Sequence, residues 1–382
     1  MKAFFSARFG IEPTVIARAP GRLEFIGNHL DYNGGPVLGA AIDKYVTVAV
    51  APRSDRKIAL VSQSMKEAVE LTIDEVAPVT GENAWVNYPL GMLAVMRDAG
   101  MVVKHGFDLA VTNDLPMGAG LSSSAAIELA TGYALATLFG FKADTKTMAE
   151  LGRKAENTFV GMPCGILDQG CSAFGKAEHL VFIDCAVNAF SNVPMPAGTH
   201  FHVFNTQKKH ALIDSYYSTR HKECMEAFAI LKQANPALAN LAAATEAEVV
   251  AARAELGPDR LHRALHVVRE TARVNDSVAA LKAGDIARVG RNLTASHHSS
   301  RDWFGNSCDE LDFLVSEVTA MPGVYGARLS GGGFGGAIMA LTDGSFTAEA
   351  AHKVIADYEL KFGHKPTLFH TKTGDGAGVV AK

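Results

Sequence analysis

The chain has 382 residues, of which 48% are hydrophobic and 20% charged, and its formal net charge is −4. That length exceeds one ordinary core and sets two domains as the expectation, the composition is globular, and the small charge with no Lys/Arg-rich run leaves no nucleic-acid footprint. Five cysteines without a C-x-x-C pair suggest neither a disulfide framework nor a zinc site and fit a reducing cytoplasm.

In chain order, the opening MKAFFSARFGIEP is apolar for only a few residues, which predicts no secretory leader. No later apolar stretch is long and unbroken enough to span a bilayer. GRLEFIGNHLDYNGG, from Gly21 to Gly35, then places Arg22, Glu24, Asn28, His29 and Asp31 beside apolar runs. YVTVAVAPR and HGFDLAVTNDL read as strands, each followed by a turn signal. SSSAAIELATGYALATLFG reads as a buried helix ending at Gly140. HLVFIDCA is a further strand, and YYSTRHKECMEAFAILKQA an amphipathic helix with a proline just past its end. The Ala- and Glu-rich stretch from Asn235 to Asp259 fits surface helices. Pro194 and Pro196 punctuate the best domain boundary and divide the chain into 1–193 and 194–382.

Three glycine-containing stretches carry chemistry. LPMGAGLSSSAAIELA sets Gly118, Gly120 and three serines directly before a long helix. A helix N-terminus offers unpaired N–H groups and partial positive charge, and glycines let several N–H groups converge on one anion. This predicts a phosphate cradle without a Walker lysine; the bland alternative is one serine N-cap after a glycine turn. AENTFVGMPCGILDQGCSAFG brings Glu156 and Asp168, the latter among Gly165, Ile166, Leu167 and Gly170. An acid in such apolar company is paired or functional. SGGGFGGAIMAL contains G-x-G-x-x-G at Gly331, Gly333 and Gly336, but a strand-like run follows where a dinucleotide site needs a helix. It reads either as a turn between strands or as bare backbone that admits a close neighbour.

Together these stretches resemble the GHMP small-molecule kinases, and the first is similar to the galactokinase branch. That branch opens with A-P-G-R-x-N-x-I-G-E-H-x-D-Y-N-x-G, where this chain has APGRLEFIGNHLDYNGG. Pro116 to Ala125 match P-x-G-A-G-L-S-S-S-A, and WVNYPLG, CGILDQ, LVFIDC, YYSTRHKEC and GVYGARLSGGGFGG follow in the family's order. The resemblance implies a mixed α/β (α+β) fold of two domains with the active site between them. It implies an ATP- and Mg²⁺-dependent sugar 1-kinase acting on galactose, with no nucleic-acid, membrane or obligate protein partner.

Residue by residue, the resemblance makes Asp168 the catalytic base and Arg22 its charged partner. Ser124 and Glu156 match magnesium ligands, and Gly118, Ala119, Gly120, Leu121, Ser122, Ser123 and Ser124 match the triphosphate loop. His29, Asp31 and Tyr217 match hydroxyl-binding positions, and Gly165 lets backbone approach the sugar ring. Trp85 either packs on adenine or belongs to the core; Ser62 is an adenosine contact. Two positions depart from the pattern: the family asparagine is Glu24 and the family glutamate is Asn28. Glu24 lies two residues from Arg22, so a strand turns both to one face and predicts a pair. Asn28 is expected to face C6 of the sugar with one acceptor oxygen and two donors. Two alternatives stay open: a kinase for a C6-altered relative such as galacturonate, and a catalytically silent sugar sensor.

Overall fold

The computed structural model describes residues 1–65, 68–116, 120–208 and 213–381. The first half contains α1 (Lys2–Phe9), β1 (Val15–Ile26), β2 (Pro36–Pro52), β3 (Lys57–Ser62), β4 (Val69–Thr72), α2 (Asn87–Asp98) and β5 (Phe107–Asn113). It continues with α3 (Ser123–Phe139), α4 (Thr145–Ala155), α5 (Leu167–Phe174), β6 (His179–Asp184) and β7 (Ala189–Pro194). The second half contains β8 (His200–Asn205), α6 (Ile213–Ala234), α7 (Glu246–Ala251), α8 (Arg253–Ala283), α9 (Ile286–Ser299) and α10 (Asp309–Thr319). It ends with β9 (Val324–Ser330), β10 (Ala337–Thr342), α11 (Ala348–Phe362), β11 (Thr367–Thr371) and β12 (Gly378–Ala381).

The first sheet runs β12-β1-β2-β5-β3-β4, with β6 on the early part of β2 and β7 beyond it. Among the described residues, only β3 and β5 pair in parallel. The second sheet runs β11-β8-β10-β9, all antiparallel. The strands of the first sheet run to Pro194 and those of the second start at His200, and β12 crosses back to pair with β1. Every strand and helix expected from the sequence is present, including the Gly140 cap of α3 in the left-handed region at φ 69°. Among the described residues, no helix is long and apolar enough to cross a membrane.

Packing explains why charges sit deep. Helices α3 and α5 lie on β1 and β2, and α8 reaches both strands from the second half. β1 is buried along nearly its whole length, Arg22 and Glu24 included. Its ladder with β2 slips between Pro20 and Arg22. Proline has no N–H for the ladder, so a bulge is a natural place for it. Past the bulge, the Arg22 N–H donates to Leu121 O at 3.0 Å, which ties β1 to the loop before α3.

Two glycines set the spacing of the second half. A Cβ on Gly290 of α9 would overlap the Tyr325 carbonyl of β9, and one on Gly326 would overlap the Gly290 carbonyl. Helix and strand touch backbone to backbone there. Gly290→Ala forces them apart, and overpacking of this kind costs about 1–3 kcal/mol. Urea denaturation of the variant is expected to show a lower midpoint with an unchanged slope.

Candidate active site

Three segments converge on the Arg22 guanidinium. Its Nε donates to Asp168 Oδ1 at 2.7 Å and its NH1 to Gly120 O, also at 2.7 Å. Asp168 lies in the first turn of α5, where the helix dipole favours an anion. Its other oxygen, Oδ2, accepts from the Ser122 hydroxyl. Burial works against the Arg22 charge, yet Asp168 beside it, and Glu24 beyond, hold the guanidinium above its ordinary value. Gly120 and Ser122 both take left-handed backbone, at φ 66° and 52°. That curl turns the loop over the start of α3.

Two cavities meet at this point. The first, of about 260 Å³, is lined by Arg22, Glu24, Asn28, His29, Asp31, Gly165, Asp168 and Tyr217, among others. The second, of about 380 Å³, is lined by Gly120, Leu121, Ser122, Ser123 and Ser124 with Tyr88. Arg22, Gly331 and Gly332 border both. The SGGGFGG stretch is therefore both a turn, joining β9 to β10, and a bare wall: a Cβ on Gly332 would sit 3.4 Å from the Tyr217 ring. Gly118 and Ala119 lie outside the described residues. Neither Ser62 nor Trp85 borders these two cavities. Ser62 ends β3 and accepts from Ser64 N–H, and Trp85 packs against the main core.

The first cavity is unusually acidic. Burial, and then the charges of Glu24 and Asp168, push the Asp31 carboxyl up to about 6. Tyr217 is raised by burial and then by the same three acids. Gly165 is needed because a Cβ there would overlap the Asp31 carboxylate.

His29 and Asn28 line this cavity but are bound within the protein. The His29 ring is pushed down to about 3 by burial and then by His266. It is thus neutral, with Nε2–H donating to Gly332 O at 3.2 Å and Nδ1 accepting from Tyr32 at 2.9 Å. Its ring stacks on Phe304 at 4.4 Å. Asn28 is 1% exposed. Its Nδ2 donates to Glu24 Oε1 and Gly331 O, both at 2.9 Å, and its Oδ1 accepts from Ser300 and Asn306 at 3.1 and 2.8 Å. An amide offers two donors and two acceptor sites, and all four are used. The expectation that the Asn28 oxygen meets a sugar hydroxyl is therefore corrected: no acceptor site remains. A second correction concerns Glu24, whose ion pair is with Arg328 at 3.2 Å and not with Arg22.

The groups behind this wall have no role legible in the sequence. Arg328 is fully buried in β9; besides Glu24 it donates to the Glu24 and Phe25 carbonyls and to Ser296. Glu270 Oε1 accepts from the N–H groups of Gly27 and Asn28. Burial opposes the Glu270 charge, but Arg273, His266 and Arg328 hold its carboxyl down to about 2. A charged residue in the apolar run VYGARLS was the one signal available for Arg328.

Beside the second cavity, Glu156 accepts from Gln169 at 2.6 Å and from the Ser124 hydroxyl. Burial and then Asp168 raise its carboxyl. Gln169 also donates to buried Glu128 at 3.1 Å, and Glu128 Oε1 and Gln169 Oε1 are left without partners. No cluster of three or more His, Cys, Asp or Glu side chains arranged for a metal occurs among the described residues.

Known proteins match along the whole chain. The galactokinase galactose-binding signature matches residues 3–52, and the GHMP kinase N- and C-terminal domains match 87–176 and 277–359. A galactokinase of Roseiflexus sp. is 38% identical over 98% of this chain and 95% of its own length. One of Staphylococcus carnosus is 36% identical over 100% and 98%. The crystal structure of Lactococcus lactis galactokinase complexed with galactose superposes with a TM-score of 0.93 at 32% identity, covering 98% of both chains. The Methanococcus jannaschii mevalonate kinase shares the fold, with a TM-score of 0.66 at 18% identity over 95% of this chain and 99% of its own.

The raised Asp31 carboxyl has a measurable sign. Its folded value lies above the ordinary 3.8, so ionised Asp31 costs stability above about pH 6 and that cost fades as pH falls toward 4. Asp31→Asn is expected to be more stable than the parent at pH 7 by about 1–2 kcal/mol, after allowance for partial exposure. Paired denaturation curves are expected to show the gap closing between pH 6 and 4.

Proposed function

The chain belongs to the galactokinases of the GHMP kinase family, and on that premise we propose how its two cavities transfer a phosphoryl group from ATP to the C1 hydroxyl of galactose. The observation that carries the proposal is the Arg22–Asp168 pair, 2.7 Å apart, at the junction of the two cavities. Galactose occupies the first, acidic cavity and the ATP phosphates the second, against the N–H groups at the start of α3. Asp168 then lies between the acceptor hydroxyl and the donor phosphate.

In the reaction, the sugar hydroxyl takes over the Asp168 Oδ2 contact that Ser122 makes. Its proton passes to the carboxylate as the O–P bond forms and the bond to the ADP oxygen breaks. Arg22 orients Asp168 through Nε and offsets charge on the transferring group. Asp31 and Tyr217 face the sugar, whereas Asn28 and His29 shape the wall. A C6 carboxylate would meet Glu24, Asp31 and Asp168 together, which favours galactose over galacturonate. The intact Arg22–Asp168 pair disfavours a silent sensor.

Ser124 and Glu156 would hold the magnesium ion. Both offer oxygen, the Glu156 carboxyl lies in an acid-rich pocket, and unpartnered Glu128 Oε1 and Gln169 Oε1 lie next to it. When bound, magnesium offsets the charge of the triphosphate. Residues 1–193 with β12 would form the half that carries the loop and most of the sugar wall, and the remainder would supply Tyr217 and the glycine turn.

Asp168→Asn keeps the shape and loses the proton acceptor. Formation of ADP and galactose 1-phosphate is expected to fall by at least about 10²-fold, with galactose binding by calorimetry largely retained. Near-parental turnover would remove Asp168 from the reaction. Ser124→Ala is expected to raise the magnesium concentration needed for half-maximal turnover.

A further inference from the structure

The polar side chains of the first cavity differ in what they have left to offer. Asn28 and His29 have nothing, as their partners above account for every donor and acceptor. The Glu24 carboxylate is different. Its Oε1 accepts from Asn28 Nδ2 and Arg328 NH2. Among the described residues, its Oε2 accepts from the Gly331 N–H alone, at 3.2 Å. A carboxylate oxygen has room for two donors, so one acceptor site remains at Oε2, on a side chain that lines the cavity.

That site is held still. Arg328 grips both the Glu24 side chain and its carbonyl, and the Glu24 N–H donates to Ser330 at 3.2 Å. Asn28 is pinned by Ser300, Asn306, His266 and Glu270. Relative to the motif A-P-G-R-x-N-x-I-G-E, amide and carboxylate have changed places, and the two now touch at 2.9 Å. The exchange moves one negative charge by a side chain's width and leaves the sum unaltered.

We infer that Glu24 is the residue that reads a hydroxyl of the sugar, through Oε2, and that Asn28 is the clamp that aims it. Glu24 does this only if the first cavity is the sugar site, as proposed above. A hydroxyl donating to a buried carboxylate makes a charge-assisted bond, and a sugar lacking it leaves the acceptor buried and open.

The test compares galactose with its 2-, 3-, 4- and 6-deoxy forms on the parent, Glu24→Gln and Glu24→Asp, reading kcat/KM. Glu24→Gln removes the charge. Glu24→Asp withdraws the carboxylate by one methylene while keeping a charge for Arg328, and so serves if the glutamine variant does not fold. The parent is expected to lose about 10²-fold or more at one deoxy position. At that position alone the penalty is expected to shrink about tenfold in the variant, the worth of exchanging a charge-assisted for a neutral bond or of breaking it. Deoxy penalties that all agree between parent and variant within about threefold overturn the role of Glu24. A parent that phosphorylates none of these sugars contradicts the sugar-site reading itself, so the two failures are distinguishable.

Discussion

The guanidinium of Arg22 is where three distant pieces of the chain meet. It donates to Asp168, 146 residues away, and to the Gly120 carbonyl, 98 residues away, while its own N–H reaches Leu121. Asp168 in turn takes the Ser122 hydroxyl. One cation thus fixes Asp168, the loop before α3 and the first strand relative to one another. Proximity of acceptor and donor is the main thing phosphoryl transfer asks of a protein, since little covalent chemistry falls to it. A buried pair of this kind is weak evidence for stability and stronger evidence for a fixed geometry.

Around that pair, the second half of the molecule braces the wall of the first cavity. Gly27, Asn28 and His29 form a tight turn, with Gly27 at φ 113° and His29 at φ 59°, that β1 could not hold unaided. Glu270 and His266 of α8 bind its backbone, and Arg328 of β9 binds Glu24. Most of these groups are buried and charged or polar. Each is matched by partners of opposite character, which is the condition under which buried charge is tolerated. The close approach of α9 to β9 through Gly290 and Gly326 keeps Ser296 and Arg328 within reach of each other.

Much of this was legible in the chain. The helix start after Gly120, the hairpin around SGGGFGG and the notice given to Asp168 follow from glycine spacing, serine placement and an acid in apolar company, whereas Arg22 stands out only through the family resemblance. The contacts of positions 24 and 28 were not legible. A bulged strand followed by a left-handed turn brings residues four apart into contact, and strand periodicity does not describe that geometry. Periodicity therefore points Glu24 at Arg22, its neighbour on the strand face, when its partner lies 304 residues away. Asn28 was read as a free amide because nothing local reveals Ser300 and Asn306. Trp85 is a half-buried aromatic packed on the core.

In the proposed mechanism, sugar and phosphate lie on opposite sides of the Arg22–Asp168 pair. A crystal structure with galactose and a non-hydrolysable ATP analogue tests it directly. The C1 hydroxyl is expected within about 3 Å of an Asp168 oxygen, the distance proton transfer needs, with the terminal phosphate against Gly120–Ser124. Galactose seated with C1 pointing away from Asp168, or the phosphates held outside that loop, would contradict it.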